Sequence, residues 1–570
     1  MWPSFGRWYG HSQRFIRLYS NMQQVKVPVK QGVVVGQLNQ LPSGLQYESF
    51  LGVPYAQPPV GELRFRSPVP LERFSDHELD CSKERDVAHQ RDPITQQVVG
   101  SENCLFLNIY APKVKNKNPL PVMVWIHGGG FCFGNGNSDY HFPAQLMQEE
   151  VIVVTLNYRL GALGFLSLPG AGIYGNAGLK DQRLALQWIQ DNIVNFNGDP
   201  QNVTLFGESA GASSIHLHIY AAHANELFHK AIMQSGTANM EWVMQQKGAH
   251  KARRLGELLK GQNMEQDSAV LEFLQSRNVT PNGILANTLK VLTPDERRRE
   301  MPFVFKPVVE NADSPDSFVS SQILDLLLDK QRLQGMPVIM GYNSAEGLAM
   351  IVNARRKLDL YEKDLARLVP RNLIEKSQAP EAQEAANNMR QFYFNGQPLS
   401  LESLDNLVDL FTDYHFIIDM QLAAEIHVNC QITSPLYFYR FDYLGGRNMF
   451  KKLFQAENLR GTAHAEELFY LFQMAGEETP QNKEDTQLSK SICRMWANFA
   501  KYGKPSDSWM PVTRPKSNNK GESEPFHLDY MLIDRECRMQ RNPDAERMDF
   551  WRSMYKRYKA DCYEALRAKL

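Results

Sequence analysis

The sequence predicts an α/β protein built on one large, doubly wound, mostly parallel sheet with helices on both faces. Three observations predict it. Asn202-Val203-Thr204-Leu205-Phe206 is a short apolar run. It leads into a glycine-bearing turn and then a helical pattern over 212–220. A second apolar run at 121–127 (PVMVWIH) is bounded by turn residues and closed by Gly128-Gly129-Gly130. From about residue 120 onward strand and helix patterns alternate, the order that folds into parallel strands joined by crossover helices. With 570 residues, 43% of them hydrophobic, the chain is long enough for several domains. The sustained alternation instead argues for a single domain over 25–560, on a sheet of the size found in big α/β enzymes. An N-terminal arm (1–24) and a tail (561–570) flank it.

The first run matters most, because Gly207-Glu208-Ser209-Ala210-Gly211 has the form G-x-S-x-G. Between a strand and a helix this spacing makes a turn so sharp that its flanking residues must be small, and the serine Oγ is held exposed at its apex. Gly207, Ala210 and Gly211 meet that demand. The arrangement predicts the nucleophile elbow of an α/β-hydrolase fold, with Ser209 as nucleophile. The motif alone carries a false-positive risk, so the rest of the chain has to support it.

The second run supplies that support. Acyl transfer passes through a tetrahedral oxyanion that needs preorganised N–H donors about 3 Å away, and glycine lets backbone N–H groups approach without side chains in the way. His127-Gly128-Gly129-Gly130 after an early strand is the esterase and lipase solution. Gly129 and Gly130 are expected to donate two N–H groups and Ala210 a third. A flexible turn would explain a triple glycine, but not its place between a strand and the later elbow.

Further segments stand in a fixed order: Phe50-Leu51-Gly52-Val53-Pro54-Tyr55-Ala56 through Arg64-Phe65, Ser101-Glu102-Asn103-Cys104-Leu105-Phe106-Leu107-Asn108, Asn157-Tyr158-Arg159-Leu160-Gly161, and Gly175-Asn176-Ala177-Gly178-Leu179-Lys180-Asp181-Gln182. On these motifs the chain resembles the type-B carboxylesterases, which include cholinesterases and insect esterases, from about Val25 to Trp551. Within the family it looks most like the insect alpha-esterases.

An α/β-hydrolase needs an acid and then a histidine after the serine. A strand read over 337–343 runs into Asn343-Ser344-Ala345-Glu346-Gly347, and one over 436–443 is followed by Gly461-Thr462-Ala463-His464-Ala465-Glu466-Glu467. By itself Glu346 reads as a solvated loop charge, and with 14 histidines in the chain the residues alone do not choose one. His127 beside the glycines and His216 beside the elbow are the rivals. The resemblance implies Glu346 and His464. It further implies the chemistry: His464 takes the Ser209 proton, Glu346 holds the imidazole, and water then hydrolyses the acyl-enzyme. The products are a carboxylic acid and an alcohol, and no metal or organic cofactor is required. There is no H-E-x-x-H, no P-loop and no paired C-x-x-C.

The helical, charged stretch at about 248–299 and the similar one at 355–430 read as insertions over the active site. A net charge of −1 gives no reason to expect nucleic acid. The expected partner is a small-molecule ester; monomer and homodimer both remain open. Cys81 and Cys104 match the family's loop-closing pair. The bridge would form in a secreted member and contribute ~3 kcal/mol, and would stay reduced in cytosol. The other five of the seven cysteines show no metal-ligand spacing.

In cholinesterases the loop between those cysteines carries a tryptophan that stacks on the quaternary ammonium. Here residues 82–103 contain no Trp, Tyr or Phe, which argues against choline esters. Trp242, Phe303 and Phe305 lie where the family builds its acyl pocket; an apolar pocket wall and ordinary core packing are equal readings. An activated serine in such a site would also be phosphorylated by organophosphates, so detoxification of xenobiotic esters is one expected role. Two rivals are a lipase acting at lipid surfaces and a catalytically silent adhesion or scaffold homologue. The silent members lose catalytic positions that this chain keeps.

Residues 1–24 lack a long apolar stretch, so no signal peptide is expected, and no 18-residue apolar run predicts a transmembrane helix. Instead Phe5, Trp8, Tyr9, Phe15, Ile16 and Tyr19 fall roughly on one helical face, with Arg7, His11, Arg14 and Arg17 mostly opposite, and no acidic residue occurs before Glu48. The pattern fits an interfacial anchor on a membrane or lipid-droplet surface, a mitochondrial transit peptide, or a disordered arm weakened by Pro3, Gly6 and Gly10. The terminal Ala568-Lys569-Leu570 resembles a peroxisomal address or is a fraying helix end. The expectation is an intracellular protein, cytoplasmic or peripherally bound to membrane.

Overall fold

The computed structural model describes residues 23–559, apart from 116–117, 222–223, 300–302, 312, 330–334, 431–432, 475–481 and 516–524. The N-terminal arm through residue 22, Cys562 and the terminal Ala568-Lys569-Leu570 lie outside the described residues.

The strands, in chain order, are β1 (Gln24–Val29), β2 (Gly32–Gln40), β3 (Gln46–Pro54), β4 (Glu78–Asp80), β5 (Gln90–Arg91), β6 (Val98–Val99), β7 (Phe106–Pro112), β8 (Leu120–Ile126), β9 (Ile152–Leu156), β10 (Gly198–Glu208), β11 (Lys230–Gln234), β12 (Val338–Asn343), β13 (Leu436–Phe441), β14 (Asp529–Ile533) and β15 (Arg538–Arg541). Thirteen of them form one sheet in the order β1-β2-β3-β7-β9-β8-β10-β11-β12-β13-β14-β15, with β4 beside β2, while β5 and β6 pair separately. From β9 to β14 every neighbour is parallel. The N-terminal flank from β1 through β7 to β9, and the edge pair β14–β15, are antiparallel. The sheet is therefore a mostly parallel α/β-hydrolase sheet that begins near residue 24. The alternation read from residue 120 covers only its parallel centre, because hairpin-linked strands carry no crossover helices to reveal them.

Strand side chains alternate between faces, and both faces are covered, so the central strands are mostly apolar where they cross the core. Val122, Val124, Ile126, Leu205, Val338 and Met340 feed one core; Met123, Trp125, Phe206, Ile232 and Ile339 feed the other. The helices Ala177–Asn192 and Ala210–Tyr220 pack on the first face. The helix Lys483–Tyr502, through Ile492, Trp496 and Phe499, packs on the second. The stretch read as a first insertion holds helices at Gly248–Lys260, Asp267–Gln275, Pro281–Asn287 and Pro294–Arg298. The second holds Leu358–Lys363, Pro380–Phe394, Leu404–Thr412 and Ile418–Cys430. Among the described residues no helix is long and apolar enough to cross a membrane.

Candidate active site

Open α/β sheets place their sites beyond the carboxyl ends of the strands, and β8, β10, β11 and β12 end together here. β10 stops at Glu208, and the helix Ala210–Tyr220 starts one residue later. Ser209 between them has φ 56° and ψ −121°, a strained conformation that persists only where its surroundings fix it. They do. A Cβ on Gly211 would lie 1.9 Å from the Ile126 carbonyl oxygen, one on Gly207 2.5 Å from the same atom, and one on Gly236 2.1 Å from the Ser209 carbonyl oxygen. Three glycines thus let β8 and the segment after β11 close on the turn, and the Ser209 N–H donates to Gln234 O at 2.8 Å.

The glycine loop follows β8 directly. Gly129 and Gly130 have φ of 101° and 58°. Among the described residues the N–H groups of Gly129, Gly130 and Ala210 donate to no protein acceptor. His127 supports this loop from below. Its ring stacks on Tyr158 at 4.4 Å, the Tyr158 hydroxyl donates to the His127 carbonyl, and burial lowers its pKa to about 4, so it is neutral. His216 turns away from Ser209: its Nδ1 accepts the Ala238 N–H at 3.0 Å.

Glu346 and His464 meet. Nδ1 of His464 lies 2.5 Å from Glu346 Oε2, and the other Glu346 oxygen accepts from Ser235 Oγ at 2.5 Å and from the Asn343 N–H at 2.7 Å. Nε2 of His464 faces Glu208 Oε1 at 2.9 Å, a charge contact rather than an aligned hydrogen bond. Among the described residues no hydrogen bond joins the Ser209 hydroxyl to His464. Burial works against the imidazolium, but Glu208 and Glu346 outweigh it and hold His464 well above its ordinary value. Burial raises Glu208, and the His464 charge pulls it partly back. Beneath this group Glu467 accepts from Gln234 and Asn343, and burial beside Glu208 and Glu346 pushes it up to about 8. Among the described residues no cluster of His, Cys, Asp and Glu could hold a metal ion.

A strained serine at a strand–helix elbow, free loop N–H groups and a carboxylate–imidazole pair are what acyl transfer requires. The family model described as the carboxylesterase family matches residues 23–551. The chain belongs to the carboxylesterase family. It is 32% identical to Esterase E4 of Myzus persicae over 86% of this chain and 89% of that protein. It is 30% identical to Esterase B1 of Culex pipiens over 94% of this chain and 99% of that protein. Among solved structures it resembles the juvenile hormone esterase of Manduca sexta with OTFP covalently attached, at a TM-score of 0.82 and 29% identity over 94% of this chain and 100% of that one. The chain is thus a carboxylic ester hydrolase on an α/β-hydrolase fold.

Against this carboxylesterase site stands an aromatic wall. Trp242 contacts Phe303 edge-on at 5.9 Å, and the Phe303 ring sits where a Gly130 Cβ would be, 2.4 Å away. Phe305 is buried at 2% exposure and joins no ring contact among the described residues. The third ring is Phe416, 6.2 Å from Trp242 and 4.7 Å from the His464 ring. It lies in a π-helical turn at Asp413–Ile417, whose His415 carbonyl accepts the Trp242 Nε1–H at 2.9 Å. Sequence reasoning missed Phe416, because a π turn leaves no periodic signal. It also missed Glu208, although Glu208 is the variable residue inside the motif itself. Cys81 and Cys104 are both buried and unbridged.

Proposed function

We propose that this carboxylesterase works through a serine acyl-enzyme. Ser209 Oγ attacks the ester carbonyl carbon, and His464 takes its proton. The N–H groups of Gly129, Gly130 and Ala210 stabilise the oxyanion. His464 returns the proton to the departing alcohol, then activates water to release the acid. Glu346 fixes the imidazole tautomer by accepting from Nδ1. The observation that carries this reading is the Glu346–His464 contact at 2.5 Å beside a serine at φ 56°. Nε2 must leave Glu208 to serve Ser209; catalytic hydrogen bonds are often loose before substrate arrives. Trp242, Phe303 and Phe416 favour an apolar acyl chain. An apolar pocket and an activated serine together support phosphorylation by organophosphates and a role in removing xenobiotic esters.

The test is hydrolysis of a short-chain p-nitrophenyl ester by the wild type and Ser209→Ala. A burst in the wild type, stoichiometric block by an organophosphate and background activity in the variant are expected. A well-folded but inactive wild type would sink the reading. The basic, aromatic pattern of residues 1–24 supports attachment to a lipid surface, and with it a second reading, a lipase. Faster turnover of emulsified long-chain esters than of soluble short ones would favour it.

A further inference from the structure

Gln90 lies in the polar segment between Cys81 and Cys104, where a glutamine is ordinarily solvated. It is instead 2% exposed. Its carboxamide is turned onto the backbone of a single residue of the glycine loop, Gly134. Nε2 donates to Gly134 O at 2.8 Å, and Oε1 accepts the Gly134 N–H at 2.7 Å. The second Nε2 proton goes to Ala88 O at 3.0 Å. One side chain thus satisfies both backbone groups of Gly134, as a neighbouring strand would, and uses both of its own donors.

Gly134 is in direct contact with the N–H-bearing part of the loop. A Cβ there would lie 2.4 Å from His127 Nδ1 and 2.6 Å from the Gly128 carbonyl oxygen, and one on Gly129 would lie 2.0 Å from the Phe133 carbonyl oxygen. Cys132 and Phe133 donate to Gly129 O at 3.0 and 3.1 Å. The loop therefore closes on itself, with Gly128 and Gly129 pressed against Phe133 and Gly134. Its far end is fixed to the sheet at Gly136, whose N–H donates to Asn157 Oδ1 and whose carbonyl accepts from Asn108 and Thr155. Between Gly130 and Gly136, Gln90 is the side chain that clamps both backbone groups of one loop residue.

We propose that Gln90 is a positioning residue for the oxyanion site: by clamping both backbone groups of Gly134 it fixes the direction in which the Gly129 and Gly130 N–H groups point. The inference rests on the acyl-enzyme reading above. Preorganised donors matter only where charge develops, so their misdirection lowers kcat more than substrate binding. Length and polarity both matter. Leucine is close in size but bonds to neither group. Glutamate keeps an acceptor for the Gly134 N–H and places a charge against the Gly134 and Ala88 carbonyl oxygens.

The experiment compares Gln90→Leu, Gln90→Glu and Asp92→Ala with the wild type on a short-chain ester. Asp92 closes the turn of the same hairpin by accepting from the Ile94 and Thr95 N–H groups and the Thr95 hydroxyl, so its loss loosens the hairpin without touching Gly134. Both Gln90 variants are expected to lose about 10- to 100-fold in kcat with KM within about two-fold. Their affinity for a trifluoromethyl ketone, which Ser209 would convert to a tetrahedral oxyanion adduct, should fall in parallel. Their acid-side pH midpoint should not move, because Glu346, His464 and Glu208 are untouched. Asp92→Ala should keep kcat within about two-fold. The inference is overturned if folded Gln90 variants keep wild-type kcat and ketone affinity, if the loss appears in KM alone, or if Asp92→Ala loses as much kcat. An inactive wild type overturns the acyl-enzyme reading and this inference with it, whereas an active wild type with indifferent Gln90 variants overturns this inference alone.

Discussion

Glu208→Gln isolates the charge that faces the base. Glu208 Oε1 stands 2.9 Å from His464 Nε2, and both groups are inside the protein. Unit charges about 4 Å apart at an effective dielectric of about 20 interact by about 4 kcal/mol. At 1.36 kcal/mol per pKa unit this sets a scale of about 3 units for the effect. Two facts reduce it. Burial raises the Glu208 carboxyl, so its charge is only partly present, and Glu346 remains on the other nitrogen. The pair titrates together, and we expect its apparent acid-side pKa to fall by about 1–2 units. The sign follows from the base role. His464 must be neutral to accept the Ser209 proton, and its pKa is raised, so activity is lost as pH falls through that raised value. Removing a carboxylate lowers the value and carries activity to lower pH. The assay is kcat/KM for an aliphatic ester over about pH 5 to 9, read by titrating released acid. An acid limb that stays in place or moves upward would refute the electrostatic coupling.

Four other outcomes are expected. Gly211→Ala puts a methyl 1.9 Å from the Ile126 carbonyl oxygen and should cost about 3 kcal/mol or more, visible as a lowered thermal midpoint. Phe416→Ala removes the ring beside His464 and Trp242. It should cost ~3 kcal/mol of stability and raise the hexanoate-to-acetate kcat/KM ratio about 10-fold, checked with a chain-length series. Arg159→Met leaves Asp181 buried without the two hydrogen bonds and the charge of the Arg159 guanidinium; a loss of about 3–5 kcal/mol should appear in a denaturant titration. A chain lacking residues 1–22 should keep full esterase turnover and lose sedimentation with anionic-lipid vesicles, if the basic aromatic arm is an interfacial anchor.

The parts of the site that were readable in the sequence are those set by backbone geometry. An elbow excludes side chains at fixed offsets, so Gly207 and Gly211 announce it. A loop that must point N–H groups outward needs positive φ, so Gly129 and Gly130 announce that. The parallel centre of the sheet was readable because β8, the second half of β10 and the start of β12 are buried on both faces and therefore largely apolar. β1 to β3 and β7 passed unread: they are joined without crossover helices, and β1–β3 mix buried with partly exposed positions and show no long continuous apolar run.

What no local pattern carries is a meeting of residues far apart in the chain. Glu346 and His464 are 118 positions apart, and any acid and histidine in the right order would satisfy the same spacing. Their choice came from the resemblance, not from the residues. The same limit explains Glu208. Its place in the motif is fixed by the turn, but the direction of its side chain depends on where the segment after β13 brings His464. Once the two meet, the base has two carboxylates, one on each nitrogen. A serine hydrolase with a single acid holds its imidazole from one side and leaves Nε2 to the serine. Here Nε2 is drawn to a carboxylate adjacent in sequence to Ser209, so in the proposed mechanism proton transfer begins with the breaking of that contact. In the proposed mechanism, substrate beside the Phe416 wall expels water from the same space, which strengthens the Glu208 attraction along with the oxyanion donors. On that reading the two carboxylates together, rather than Glu346 alone, set how basic His464 is when the ester arrives.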